Sequence, residues 1–326
     1  MRLASLTILA LCCLYACKDS ENSTAEKTNA PTEKKGKAEG VSIMVLGTAQ
    51  DAGSPHIACK KACCAALFEN GNNARKVVSL GILDYTNEKS YLFEATPDIS
   101  TQVKVLKDAM GASSPELPSG VFLTHAHIGH YTGLMYLGKE ATNAPETPVF
   151  AMPKMTSFLR ENGPWSQLVS ERNILLKPLA HQQAVPLAEQ LKVVPFTVPH
   201  RDEYSETVGY KIIGPNKSAL FIPDINKWSV WETPIAKLIA EVDYAFLDAT
   251  FYDGEEINSR DISEIPHPFV IESMDLFQSL APADKAKVFF IHFNHTNPLL
   301  REDSPQTMKV LQEGYKIARK GMVFSL

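Results

Sequence analysis

The chain has 326 residues, 44% of them hydrophobic, and a formal net charge of −5 from 37 acidic and 32 basic side chains. That length supports a large buried core, and the hydrophobic share is that of a globular protein rather than a disordered one. A mildly acidic balance with no basic stripe gives no electrostatic case for nucleic acid as a partner.

The opening segment, MRLASLTILALCCLYAC, sets one basic residue before an apolar run over 3–15. The run is too short to span a bilayer as a helix and reads as a signal-peptide core. It stops at Leu14-Tyr15-Ala16-Cys17, which resembles a bacterial lipobox. That resemblance implies residues 1–17 as a lipoprotein signal, a membrane anchor through lipid on Cys17, and a place in the bacterial cell envelope, periplasmic or surface-facing. Residues 18–40 carry no large apolar side chain. They cannot offset the entropy of ordering and are expected to form a flexible tether. Residues 41–326 are expected to fold as one domain.

Val41–Gly47 (VSIMVLG) is an apolar, β-rich run that ends in glycine and predicts a first strand. Gln50-Asp51-Ala52-Gly53 follows as a tight turn. Next come Cys59, Cys63 and Cys64, the cysteines left once Cys12, Cys13 and Cys17 fall to the leader. An odd number with two adjacent members suits disulfides poorly, so the thiols point to a metal. Segments 77–85 and 90–95 predict a hairpin, and Ile99–Met110 has helical spacing. A short buried strand over 120–124 runs directly into THAHIGH. Further strands are expected at 191–198, 207–213, 218–223, 243–248 and 287–293. Helices are expected around 153–162, 233–241, 270–280 and 305–315. Strands and helices mixed along the chain predict two mixed sheets covered by helices.

THAHIGH gathers His125, His127 and His130 from a chain with nine histidines. On extended backbone His125 and His127 point the same way, and His130 can fold back from the next turn. Neutral imidazoles so crowded are what zinc or iron takes readily. The H-x-H-x-x-H run resembles the H-x-H-x-D-H motif of the metallo-β-lactamase fold hydrolases. Three later stretches continue the resemblance in order: His200 in FTVPHRDEYSETVGY, Asp224 in SALFIPD and His292 in VFFIHFNHTNP.

The resemblance implies an α/β fold, a four-layer αββα sandwich, with one or two catalytic metals between the sheet edges, zinc or else manganese or iron. His125, His127, His200 and Asp224 would hold the first. His130, His292 and the shared Asp224 would hold the second. Gly129 stands where the motif has an aspartate. The second position is therefore expected to be a ligand short, with its metal weaker, more exchangeable or absent, and an aspartate introduced at 129 is expected to tighten it. LGTAQDAGSPHIACKKACC, FLDATFYDGEEI and IHFNHTNPLLREDSP also resemble the pyrroloquinoline quinone biosynthesis protein B family. The cysteine insert resembles that of the cyclic phosphodiesterases of phosphonate degradation. These relatives imply a structural zinc on Cys59, Cys63, Cys64 and His295. Asp248 either orients a ligand histidine through its ring N–H or is a helix N-cap or loop residue. His56 is expected near the mouth of the site, and His181 and His267 on loops.

What the resemblance implies for function is a metal-dependent hydrolase of a small phosphodiester or other ester-type substrate, acting through activated water. Two alternatives stay open: an iron-dependent oxidoreductase of the quinone-pathway kind, and a non-catalytic, metal-stabilised binding lipoprotein. Replacing Cys17 with serine is expected to abolish acylation and release soluble protein. Membrane fractionation checks this; a variant that still sediments with detergent-extractable lipid would defeat the lipobox reading.

Overall fold

Period-two alternation of large apolar residues builds two seven-stranded sheets. The computed structural model describes residues 39–71, 74–201, 203–256 and 265–326, so the leader and nearly all of the tether lie outside the described residues. The first sheet contains β1 (Val41–Gly47), β2 (Ser79–Asp84), β3 (Lys89–Phe93), β4 (Gly120–Phe122), β5 (Thr147–Ala151) and β6 (Ile174–Pro178). The second contains β7 (Val185–Ala188), β8 (Leu191–Thr197), β9 (Val208–Ile213), β10 (Ser218–Ile222), β11 (Tyr244–Asp248), β12 (Val288–Ile291) and β13 (Lys316–Ile317). The last strand, β14 (Val323–Ser325), returns to the first sheet and pairs antiparallel with β1. The strand orders are β14-β1-β2-β3-β4-β5-β6 and β13-β12-β11-β10-β9-β8-β7.

Three apolar clusters define the layers. Ile43, Val45, Leu80, Ile82, Phe93 and Phe122 meet Val193, Tyr210, Ile212, Phe221 and Phe246 in the core between the sheets. The alternate residues of the first sheet, Leu83, Leu92 and Val121, pack outward against Ile99 and Leu106 of α2 (Ile99–Met110), the helix that follows α1 (Ala62–Glu69). Leu220, Leu247 and Phe290 do the same in the second sheet. They lie under Ile235 and Ile239, Val270 and Met274, and Val310, which sit on the helices Ile235–Ala240, Val270–Leu276 and Pro305–Gln312. The product is the αββα sandwich. Among the described residues no helix is long and apolar enough to cross a membrane.

The hairpin, the first strand and the helix over Ile99–Met110 fall where patterning places them. Patterning does not indicate β5, β6 or β7. β6 and β7 are edge strands carrying Pro178 and Pro186, which an edge tolerates because one side of its backbone has no ladder partner. Such strands carry a weak sequence signal.

Phe122 is fully buried and stacks between Phe93 (centroids 4.9 Å, planes at 11°) and Phe150 (4.3 Å, 6°) just before the histidine run. Phe122→Ala should cost about 3–5 kcal/mol of stability. The midpoint of chemical denaturation measures it.

Candidate metal centre

Most residues of the site sit at or just beyond the carboxyl end of a strand. Glu94 follows β3, His125 and His127 follow β4, and His200 follows β8. Asp224 follows β10, Asp248 ends β11, and His292 follows β12. His130 lies on the one-turn helix α3 (Ile128–Tyr131) that begins at the end of the histidine run. Rigid strands thus fix the Cα positions, and the short loops aim the rings. The loop is tied across the sheets: the Val208 N–H donates to the Thr124 carbonyl (3.2 Å), the Ala126 N–H to Ser205 Oγ (2.8 Å), and the Tyr210 hydroxyl to the Leu123 carbonyl.

The first set is brought together. The ligand atoms of His125, His127, His200 and Asp224 all lie within 4.8 Å of one another. His125 Nε2 is 3.3 Å from Asp224 Oδ2, His200 Nε2 is 3.2 Å from Asp224 Oδ1, and His127 Nδ1 is 3.3 Å from His200 Nε2. Two ligands of a tetrahedral zinc with bonds near 2.0 Å stand about 3.3 Å apart, so these spacings fit an ion at the centre. His125 Nε2 and Asp224 Oδ1 are buried and have no hydrogen-bond partner in the protein. The outer ring nitrogens are held from behind, which turns the inner ones toward the site. His125 Nδ1 lies 2.9 Å from Thr124 Oγ1, and His200 Nδ1 lies 3.1 Å from Asn226 Oδ1.

At the second position the sequence expectation needs correction. His130, His292 and Asp224 do gather, but a fourth residue, Asp51, joins them with all ligand atoms within 4.8 Å. Asp51 Oδ1 is 3.0 Å from His130 Nε2 and 3.5 Å from His292 Nε2. The corner beside Gly129 is therefore filled rather than vacant. A Cβ built on Gly129 would stand 2.3 Å from the Asp51 Cα, so an aspartate at 129 has no room in this arrangement. The reason is tertiary: the loop after β1 is stitched to the end of β12. Phe293 N–H donates to the Thr48 carbonyl and Gln50 N–H to the Phe293 carbonyl, each at 2.8 Å.

Behind these ligands lies a ring of residues that sequence reasoning missed or left open. Glu94 is fully buried with φ +74°, in the left-handed region, and its Oε1 is 3.4 Å from His130 Nδ1. His292 also takes a left-handed φ, +67°, and its Nδ1 lies 2.8 Å from Thr250 Oγ1. Asp248 accepts from the Thr250 N–H (2.9 Å) and from the Ile225 N–H (3.2 Å), and lies 2.9 Å from His267 Nδ1. These contacts carry both of its readings: one oxygen caps the loop at Thr250 and the other orients the His267 ring. His267 does lie on a loop, just before the helix Val270–Leu276, but it is buried there, with Nδ1 3.2 Å from Asp224 Oδ1. Its signal in the sequence is the frame Pro266-His267-Pro268, which presets the backbone on both sides. Glu94 is legible as the one charged side chain in the apolar run YLFEA.

Electrostatically the centre calls for positive charge. Burial opposes ionisation of Asp224, yet the His200 and His267 rings hold its carboxyl well below the usual range. Burial, with His130 alongside, holds His125 well below the ordinary histidine value, so its ring is neutral and ready to ligate. Burial also works against a charged His267, but the Asp248 and Asp224 carboxylates outweigh it and raise the ring.

The cysteines form a separate cluster. Cys59, Cys63, Cys64 and His295 place their ligand atoms within 4.8 Å of one another, and all three thiols are free. The Cys63 and Cys64 sulfurs are 3.9 Å apart, close to the about 3.8 Å of two thiolates on a tetrahedral zinc. Burial and the neighbouring Cys64 and Cys59 push the Cys63 thiol up to about 12. A cation relieves this like-charge crowding. Burial, then the charges of His56 and Lys61, lowers His295 to about 4, leaving a neutral ligand ring. His56 stacks on His295 at 4.3 Å, so it belongs to this cluster rather than to the mouth of the histidine site. His181 lies on the exposed loop expected of it, accepting from the Thr197 N–H at 3.1 Å.

A family model described as a beta-lactamase superfamily domain matches residues 89–293. The chain is 25% identical over 311 residues to Coenzyme PQQ synthesis protein B of Gluconobacter oxydans (strain 621H), covering 88% of this chain and 99% of that protein. Among solved structures it is similar to Zn2+-bound PqqB from Methylobacterium extorquens (TM-score 0.71, 22% identity, 87% of this chain and 100% of that one). It is also similar to a diphosphatase from the PhnP family (TM-score 0.59, 20% identity, 88% and 97%). At these identities the structural matches speak to the fold.

His295→Ala should lower bound zinc by about one equivalent per chain, because three thiolates alone do not close a tetrahedral site. Elemental analysis of the purified variant checks it; unchanged zinc would remove His295 from the ligand set.

Proposed function

Because the chain belongs to the β-lactamase superfamily, we propose that it is a metal-dependent hydrolase acting on a small phosphodiester or other ester-type substrate. The observation that carries the reading is the convergence of His125, His127, His200 and Asp224, with inward-facing ring nitrogens at ligand spacing. A divalent ion held there supplies Lewis acidity, which lowers the pKa of water from 15.7 to about 7 and offsets charge that develops on the substrate. Zinc suits this nitrogen and carboxylate set, as do manganese and iron.

The chain's own residues supply the rest. Burial of Asp224 and the rings around it keeps solvent from competing for the ligands. Thr124, Asn226 and Thr250 hold the outer nitrogens of His125, His200 and His292, which turns their other nitrogens inward. His267 has Nδ1 committed to Asp248, which leaves Nε2 to deliver a proton to a departing alkoxide. The two carboxylates behind the ring favour its protonated form, as that role requires.

A second reading, metal-dependent oxidative chemistry, is favoured by the similarity to Coenzyme PQQ synthesis protein B over 88% of the chain. Oxygen uptake by iron-loaded protein, without ester cleavage, would select it. An envelope location through lipid on Cys17 is a further part of the proposal.

Metal-loaded protein should cleave bis(p-nitrophenyl) phosphate, and chelation should abolish cleavage until metal is restored. Asp224→Asn should lower turnover by about a hundredfold or more. His267→Gln should cost about 10²–10⁴-fold on an alkyl leaving group and far less on p-nitrophenolate, which leaves unprotonated. No turnover on any phosphodiester, ester or thioester with metal bound would sink the hydrolase reading.

A further inference from the structure

The Gly129 position and the loop after β1 occupy each other's space. A Cβ on Gly129 would stand 2.3 Å from the Cα, 2.7 Å from the Cβ and 2.8 Å from the Cγ of Asp51. Real Cβ atoms do not approach that closely, and two of the three contacts are atoms that no side-chain rotation can move. Glycine at 129 is therefore the condition for Asp51 to be where it is. Gly129 has no left-handed φ to explain it; it sits inside α3, where glycine weakens a helix by about 1 kcal/mol. The close approach is the reason for the residue.

What the clearance admits is a carboxylate. Asp51 Oδ1 stands between His130 Nε2 (3.0 Å) and His292 Nε2 (3.5 Å), and His292 Nε2 is a buried nitrogen with no hydrogen-bond partner in the protein. The loop is not free to drift. Ala49 bridges to both Val77 and Phe293, Ser54 bridges to Arg75, and Gly53 N–H closes the turn onto the Gln50 carbonyl at 2.7 Å. The Asp51 side chain is 29% exposed, so the position opens to solvent, unlike the sealed His130 ring behind it.

We propose that Asp51 is a metal ligand, completing with His130, His292 and Asp224 a second metal position, and that Gly129 is the clearance through which it enters. The carboxylate that position 129 cannot offer thus comes from the far end of β1, some eighty residues earlier in the chain, with Asp51 and His130 79 positions apart. The centre is then built for two ions that share Asp224. This deepens the hydrolase reading and rests on it. It assigns the second ion the open side of the site, where a leaving oxygen or a phosphoryl oxygen would be received.

Manganese titration of chelator-stripped full-length protein, followed by electron paramagnetic resonance, tests the proposal without a substrate. Manganese prefers oxygen and nitrogen donors and leaves the cysteine cluster aside. Wild type should take up two ions and give the spectrum of an exchange-coupled pair. Asp51→Asn keeps shape and loses the charge. It should weaken the second ion at least about tenfold and leave a single-ion spectrum, with the first ion retained. Asp51→Glu should recover part of the loss. Gly129→Ala adds no charge, yet should cause the same loss by pushing the loop away. Equal melting temperatures of stripped wild type and Asp51→Asn would exclude a folding defect. Wild-type uptake by either Asp51→Asn or Gly129→Ala overturns the proposal and leaves the hydrolase reading standing. Wild type that binds no manganese at either position overturns both.

Discussion

One buried carboxylate organises the centre. Asp224 is 3% exposed and lies within 3.2–3.8 Å of His125, His127, His130, His200 and His267. An ionised group taken so far from water is strongly unfavourable unless other charges or strong donors surround it. The rings that surround Asp224 come from both sheets: His125, His127 and His130 from beyond β4, His200 from beyond β8. Stabilising this single group therefore requires the two sheets to be packed face to face in one register. The aromatic stack of Phe93, Phe122 and Phe150 and the crossing Tyr210 hold that register immediately beneath the site.

Two short segments do double duty. The stretch from Thr48 to Cys64 brings Asp51 to the histidines and the three cysteines to their own cluster. The stretch from His292 to His295 likewise contributes a ring to each. Backbone hydrogen bonds between Thr48, Gln50 and Phe293 join the segments midway. The fold can thus fasten a loop that belongs to no sheet as firmly as a strand, which is what a ligand on a loop needs. The left-handed backbone of Glu94 and His292 fits the same pattern. Non-glycine residues persist there only where the surroundings over-determine them, at a cost of order 1–3 kcal/mol each. Both sit directly at the centre.

Much was legible from local sequence. A short strand ending in H-x-H-x-x-H is a local pattern, because strand, turn and ring spacing are set within ten residues. The later His200, Asp224 and His292 each follow an apolar β run, so order along the chain placed them too. The hairpin and the helix over Ile99–Met110 were readable for the same reason: each closes its own hydrogen bonds with near neighbours. Edge strands β6 and β7 were not, since prolines and exposed residues blur their alternation.

The sequence by itself determined the two-sheet class, the candidate ligand histidines and the absence of a side chain at 129. It could not decide what fills that absence. Whether Gly129 leaves a hole or a passage depends on where a loop some eighty residues away comes to rest, and hydrogen bonds to Phe293, on the other sheet, set that. The same holds for His267, which reads as a loop residue in sequence. It becomes part of the centre because Asp248, at the end of β11, and Asp224, beyond β10, reach it together. Local patterning reports which residues can ligate. Only the packing of the two sheets, which brings distant carboxylates and rings out of water together, decides which of them meet.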